Sequence, residues 1–378
     1  MESNVILKTK DGKQFYFFYD RGLCFREIGS SGKPQKMIYE DCTGQFDVLE
    51  LDCGGMVILC EDQEGGIVFL SEDSGDWLKT TLLKSKSGQS GPKNFSLFEV
   101  SGWLNGFYCL SYQEQILLVH HVIDNEDIQP EVVDLLCGET FHVFQLENGD
   151  FLAVYHSDYS NGNLGFKLYA WNQKEWSRFE TIDKGELLSA VKDGEDNLYV
   201  VYRQEEACYL KLLKKDTYQT AYSQQQFPLP FLNSVKKNVR LVIEDGKLWI
   251  LYHNGASMFA AYCTLGTYTF STPQQFVSRG DFKDFYFKSG SSVRRSYGYL
   301  NHNMPELLIL KDGDKRESSN DSSEIERFAG LHRTTDDFNR EQIENRKNDL
   351  ELCSLKRDIE LIKKRLTSIE KSVVYKEK

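Results

Sequence analysis

A glycine-bearing turn returns along this chain at Asp11-Gly12, Cys53-Gly54, Ser101-Gly102, Asn148-Gly149, Asp193-Gly194, Asp245-Gly246 and Ser289-Gly290, with 42, 48, 47, 45, 52 and 44 residues between successive glycines. An apolar run follows each turn, as in Phe15 to Tyr19, Val57 to Cys60, Phe107 to Tyr112, Phe151 to Tyr155, Leu198 to Tyr202, Leu248 to Tyr252 and Val293 to Leu300. An aromatic recurs late in most of these runs, at Tyr19, Tyr112, Tyr155, Tyr202, Tyr252 and Tyr299. Period-two apolar runs separated by turn residues read as antiparallel strands. The segment Glu147 to Ile182 shows one whole unit: a turn at Asn148-Gly149, a strand from Phe151, an alternating strand through Leu164, Phe166, Leu168 and Ala170, and another opening at Trp176. A repeat of this length with about four strands per unit is the pattern of a β-propeller blade. No helix-period segment interrupts Asn4 to Leu310, which excludes a βαβ layout. The expected fold is all-β, a propeller of about seven blades over residues 1–310. Its last blade is either three-stranded or completed by the strand at Val5-Ile6-Leu7. A pair of β-sandwich domains is the alternative, and the regular spacing counts against it.

One unit carries a family resemblance. Gly65 to Leu70 runs into Ser71-Glu72-Asp73-Ser74-Gly75-Asp76-Trp77, and Tyr169-Ala170-Trp171 to Trp176 is a fainter echo. This stretch resembles the Asp-box of sialidase-type propeller repeats, with one residue fewer before the Trp. The resemblance implies a turn between a blade's third and fourth strands, with the aromatic packed between blades. It speaks to fold and not to activity.

Composition narrows the function classes. The net charge is −12, from 45 Lys/Arg against 57 Asp/Glu. From Ser323 onward there are 13 basic and 12 acidic residues, which leaves −13 on the remainder. Such a head does not suit the neutralisation of phosphates on which nucleic-acid binding rests. The start, MESNVILKTKDGKQ, has no signal-peptide pattern, and no apolar run approaches a membrane-spanning length. There are nine cysteines and no Cys-x-x-Cys pair; Cys60, Cys109, Cys208 and Cys263 lie in apolar runs, where a free thiol behaves as a small hydrophobe. A cytoplasmic protein without metal or cofactor is expected.

Residues 311–322, KDGDKRESSNDS, read as a flexible linker, and residues 323–378 as a helical oligomerisation segment with a coiled coil over 345–374. Leu352, Leu355, Ile359, Ile362, Leu366, Ile369 and Val373 follow steps of three and four, which defines a heptad seam. The flanking pairs Glu351/Lys356, Asp358/Lys363 and Arg365/Glu370 are opposite in sign, as a parallel coil requires. Mixed Leu and Ile along the seam is compatible with a dimer, trimer or tetramer. A helix folded back along the propeller would bury a wider stripe.

No catalytic motif stands out. Gly29-Ser30-Ser31-Gly32-Lys33-Pro34 lacks the phosphate-loop spacing, and neither a His-Glu-x-x-His nor a Gly-x-Ser-x-Gly occurs. A sialidase needs converging arginines and a Tyr nucleophile; Arg203, Arg240, Arg294, Arg295 and Tyr202 are available, without the family's Phe-Arg-Ile-Pro motif. His120-His121 lies in an apolar strand, where alternation points one ring inward and one outward. The ends of the second strands supply a candidate ligand or partner face of Arg21, His156, Asp158, Arg203, His253 and His302. These features lead to an expected non-enzymatic binding or scaffold protein, self-associating through its coil and meeting a protein or glycan partner. The alternatives are a lectin-like or sialidase-related carbohydrate binder and a structural subunit of a larger particle or fibre.

Overall fold

The computed structural model describes residues 2–29, 35–73, 75–85, 91–123, 130–215, 222–235, 238–254, 257–276, 282–289, 292–301 and 304–307. The compact unit comprises residues 1–51 and 56–310; of the second unit, residues 52–55 are described and form a turn. The coil seam, Leu352, Leu355, Ile359, Ile362, Leu366, Ile369 and Val373, lies outside the described residues.

The strands run as successive antiparallel meanders. The first is β1 (Val5–Lys8), β2 (Gln14–Tyr19), β3 (Leu23–Glu27) and β4 (Lys36–Tyr39). The second is β5 (Cys42–Glu50), β6 (Met56–Asp62), β7 (Ile67–Asp73) and β8 (Asp76–Leu83). Then come β9 (Ser96–Val100), β10 (Trp103–Tyr112), β11 (Gln115–Val122) and the long β12 (Glu131–Gln145). That strand leads into β13 (Phe151–Ser157), β14 (Asn163–Ala170), β15 (Glu175–Trp176) and β16 (Glu180–Asp183). A further meander is β17 (Glu186–Lys192), β18 (Leu198–Gln204), β19 (Ala207–Lys215) and β20 (Tyr222–Pro228). It is followed by β21 (Val239–Glu244), β22 (Lys247–Asn254), β23 (Ser257–Thr264) and β24 (Gln274–Phe276). The last is β25 (Lys283–Ser289), β26 (Ser292–Asn301) and β27 (Met304–Leu307). Each predicted glycine turn among the described residues falls between the first and second strands of its meander. Gly12, Gly54, Gly102, Gly149 and Gly246 take φ between 71° and 93°, a conformation glycine adopts without strain.

The all-β, propeller-like arrangement is as expected, but seven separate blades are not what the strands form. Among the described residues they make five sheets, of which β5–β8, β17–β20 and β21–β24 are self-contained four-stranded meanders. Two larger sheets each join two meanders, for two different reasons. The 15-residue β12 closes one meander through Leu135 and Leu136 and opens the next through Phe141 to Gln145, with a register shift between. At the other junction β1 pairs antiparallel with β2 and parallel with β25, Val5 opposite Tyr286. The Val5–Leu7 strand thus meets the first strand of the last meander, which has three strands among the described residues.

Packing follows from strands that are apolar on both faces. On β13, Phe151, Ala153 and Tyr155 enter a cluster with Phe98, Phe107 and Phe141, while Leu152 and Val154 enter another with Leu187, Val200 and Tyr202. On β18, Leu198, Val200 and Tyr202 face β13, and Tyr199 and Val201 face Leu241 and Ile250. Trp249 and Leu251 then meet Tyr297 of the last meander, and Phe285 meets Tyr16 and Phe18 of the first. Phe17 and Leu23 face Val48 and Ile58. Leu59 in turn reaches Gly106, where an added Cβ would come within 2.9 Å of its side chain. Each sheet is therefore a shared wall between two cores.

A recurrent aromatic reaches back from the third-to-fourth-strand turn onto the preceding meander. Trp77 packs edge-on against Phe25 at 6.4 Å, Trp176 against Phe107 at 6.2 Å, and Tyr268 stacks on Phe227 at 4.4 Å. The Asp-box-like stretch does sit at the β7–β8 turn, with Asp73 opposite Asp76 and Gly75 at φ 91°. The tyrosine row is less uniform than its sequence: Tyr155 and Tyr202 are fully buried, whereas Tyr112 is exposed.

The expectation of one inward and one outward histidine is corrected. His120 and His121 do point to opposite faces, but both faces are covered and both rings are buried. His120 stacks on Phe107 at 4.5 Å and its Nε2 lies 3.0 Å from Asn105 Oδ1; His121 Nδ1 lies 3.1 Å from Tyr108 Oη. Burial pushes the His120 pKa down from 6.5 to about 3. Unfolded chains therefore take up a proton here before folded ones do. The stabilisation is complete above about pH 6.5 and is lost as pH falls from there toward 3, with a slope near 1.4 kcal/mol per pH unit. Urea titrations across this window should show a steeper loss in the parent chain than in His120→Gln, the difference being about that slope; equal slopes contradict the assignment.

Candidate functional site

The first strands of the meanders bring the most unusual polar group into the interior. Lys288 on β25 is 2% exposed, and its ammonium pairs with Asp47 Oδ2 of β5 and donates to the Leu97 carbonyl of β9 at 3.3 Å. Asp47 Oδ2 also accepts the Leu97 N–H at 2.7 Å, and Oδ1 the Val48 N–H at 2.9 Å. A buried charge is tolerable when paired and hydrogen-bonded in this way. Contacts separated by 241 residues tie the last meander to the second.

Beside this pair lies a small polar depression lined by Glu2, Ser3, Gln45, Phe46, Asp47, Asn94, Phe95 and Tyr286. Ser3, Gln45, Asp47 and Asn94 are already engaged by the fold. Ser3 Oγ accepts the Phe46 N–H at 3.1 Å, and Asn94 Nδ2 donates to the Glu139 carbonyl at 2.6 Å. Gln45 donates to Glu61 Oε2 and to the Gly91 carbonyl, both at 3.1 Å, and accepts from Lys93 N at 2.8 Å. Glu61, fully buried, further accepts Thr43 Oγ1 at 2.9 Å and the Gly91 N–H at 3.1 Å, and pairs with Lys93 Nζ at 3.2 Å.

The described members of the predicted face each have their own local partners or exposure. Arg21 is exposed in the β2–β3 turn at φ 58°. His156 docks on the next meander, with Nε2 2.5 Å from the Gly185 carbonyl and 3.3 Å from the Leu187 N–H. Asp158 is exposed and accepts the Cys137 thiol at 3.3 Å. Arg203 meets Glu186 at 3.4 Å. His253 sits edge-on to Tyr297 at 4.7 Å, its pKa lowered by burial and by Arg240. His302 lies outside the described residues. Of the sialidase candidates, Arg240 is held by Asp284 at 2.6 Å and Tyr202 by Asp183 at 2.7 Å. Among the described residues no group of His, Cys, Asp and Glu has metal-binding geometry, and no helix is long and apolar enough to cross a membrane.

Sequence reasoning missed a repeated carboxylate latch between meanders. Asp134 on β12 accepts Tyr155 Oη at 2.8 Å and Ser157 Oγ at 3.1 Å and lies 3.5 Å from Lys167 Nζ. Asp183 on β16 repeats the device with Tyr202 Oη at 2.7 Å and Lys211 Nζ at 3.1 Å. In each, the acid ends one meander while the tyrosine and lysine belong to the second and third strands of the next. Burial raises the Asp183 carboxyl, but the bonds from Tyr202, Lys184 and Lys211 outweigh it and hold it below the usual carboxylate range. Burial, and then the facing carboxylate, push both tyrosines up.

No protein-family model matches the chain, and no curated protein sequence matches it. Several solved structures are similar in shape. A lectin from Aleuria aurantia in complex with Fucalpha1-6GlcNAc is 12% identical, with 68% of this chain and 87% of that one covered and a TM-score of 0.43. A puromycin-hydrolyzing peptidase of Mycobacterium tuberculosis is 10% identical over 78% of this chain and 51% of its own, at 0.48. Oligopeptidase B from Leishmania major is 12% identical over 74% of this chain and 42% of its own, at 0.47. At these scores the architecture rests on the strand pairing and the shared cores described above. Those observations define the class: an all-β, propeller-like repeat protein.

Replacing Asp134 by Ala removes the acceptor of two hydroxyls and the partner of an ammonium at a buried position. The expected loss is about 3 kcal/mol in urea unfolding, with the m-value unchanged. A loss below about 1 kcal/mol would mean that the latch is ornamental.

Proposed function

We propose that this chain is a non-enzymatic binding or scaffold protein, cytoplasmic in setting, whose seven-bladed propeller head is multiplied by a parallel C-terminal coiled coil of two to four copies. Counting each of the two larger sheets as a pair of blades gives the seven. The observation that carries the reading is the seam Leu352, Leu355, Ile359, Ile362, Leu366, Ile369 and Val373, with its three flanking pairs of opposite sign. Heads held together in this way turn modest single-site affinity for a protein partner into avidity. The state of the predicted face supports a binding role over a chemical one. His156 and His253 are committed to neighbouring meanders and Arg203 to Glu186 of its own, so the loops around them present a stiff surface.

The full chain should behave in light scattering as an oligomer, and Ile359→Asp with Ile362→Asp should give monomers whose strand circular dichroism is unchanged. Pull-down with the two forms then reads the function: partners kept by the oligomer should be lost or weakened by at least tenfold in the monomer. A monomeric parent chain, or equal retention by both forms, overturns the reading. Retention of a glycan class on an array by both forms would replace the protein partner with a carbohydrate.

A further inference from the structure

Arg26 lies on β3 opposite Tyr16 of β2, on the side of the first meander that packs against Phe285 of the last. Its Cζ stands 4.8 Å from the Phe18 ring centroid and 5.3 Å from that of Tyr16, and the two rings are themselves stacked at 4.8 Å and 21°. The side chain is half-buried, and its Nε is enclosed without a hydrogen-bond partner. The described residues offer it no carboxylate within ion-pair distance, unlike Arg203 with Glu186 and Arg240 with Asp284. Tyr16 does not serve either, because its hydroxyl donates to Asn4 Oδ1 at 2.8 Å.

An arginine supported on aromatic faces is held in place while its Nε–H goes unmet, and an enclosed donor without an acceptor is costly. The guanidinium presents a planar fork that matches a carboxylate with two parallel hydrogen bonds. The chain's net charge of −12 repels multiply charged anions, which favours a single negative charge over phosphate. We propose that Arg26 anchors a carboxylate-binding site at the seam between the first and last meanders, its ligand being a free carboxylic acid or the carboxylate of a peptide. The site is independent of the coil and of the second-strand face.

The test uses the full chain labelled with ¹⁵N. The Arg26 Nε–H resonance is identified by its loss in Arg26→Lys and followed while acetate replaces chloride at constant ionic strength. The shift should saturate with acetate, and phosphate should move it less. Calorimetry with a short N-acetylated peptide should show binding of the free acid and not of its C-terminal amide. Arg26→Lys should weaken that binding roughly tenfold, the equivalent of one charge-assisted hydrogen bond. Arg26→Met, which keeps the stem on the rings, should abolish it. A resonance that acetate does not move, equal binding of acid and amide, or unchanged binding in both variants overturns the proposal. The comparison of acid with amide on the parent chain decides the matter even if a variant fails to fold.

Discussion

Every sheet in this protein has to be covered twice. Strands such as Phe151–Ser157 and Leu198–Gln204 carry apolar side chains on consecutive positions, so each sheet has two water-averse faces. Burial of that surface is the dominant favourable contribution to folding, and a lone sheet can satisfy at most half of it. Successive meanders therefore stack face to face, each one lending opposite faces to two clusters. A linear stack would still leave two bare faces at its ends. Contact of Phe285 with Tyr16 and Phe18, together with the parallel pairing of β25 and β1, covers them by joining the last meander to the first. The Lys288–Asp47 pair draws its partners from the first strands of separate meanders, so it forms only when the succession has closed.

Local physics made much of this architecture legible. A positive-φ glycine followed by an apolar strand is a signal contained in a few residues, and the turns it marks fall where the spacing put them. Trp77, in a stretch similar to an Asp-box, packs against the neighbouring meander because a fourth-strand aromatic has nowhere drier to go. Sheet membership was less legible. A bulge after Leu136 lets β12 continue from one meander into the next, and nothing in that stretch announces it as shared. The His120-His121 pair misled for a related reason. Alternation predicts opposite faces, not which of them is wet, and in a doubly covered sheet neither is.

The polar residues were the hardest to place from sequence. His156, Arg203 and His253 looked like a functional rim because polar residues at strand ends usually meet solvent. His156 and His253 find Gly185 and Tyr297 in the adjoining meander, whereas Arg203 meets Glu186 on the neighbouring strand of its own, and contact across meanders has no short-range signature. The same distance hides the latches, in which Asp134 and Tyr155 are 21 residues apart. Arg26 is the converse case: its sequence context is unremarkable, and its interest lies in what the folded chain leaves unpaired around it.

Closure of the succession is the claim on which the shared cores, the Lys288–Asp47 pair and the Arg26 seam all depend. Native-state hydrogen exchange at the β1–β25 junction tests it most directly. If the chain closes, the amides of Val5, Ile6 and Leu7 exchange as slowly as those of Leu152 and Val154 in the middle of the succession, and Tyr286 and Phe287 slow with them. Exchange of β1 at the rate of an exposed turn, with β13 still protected, would show an open stack and contradict the account.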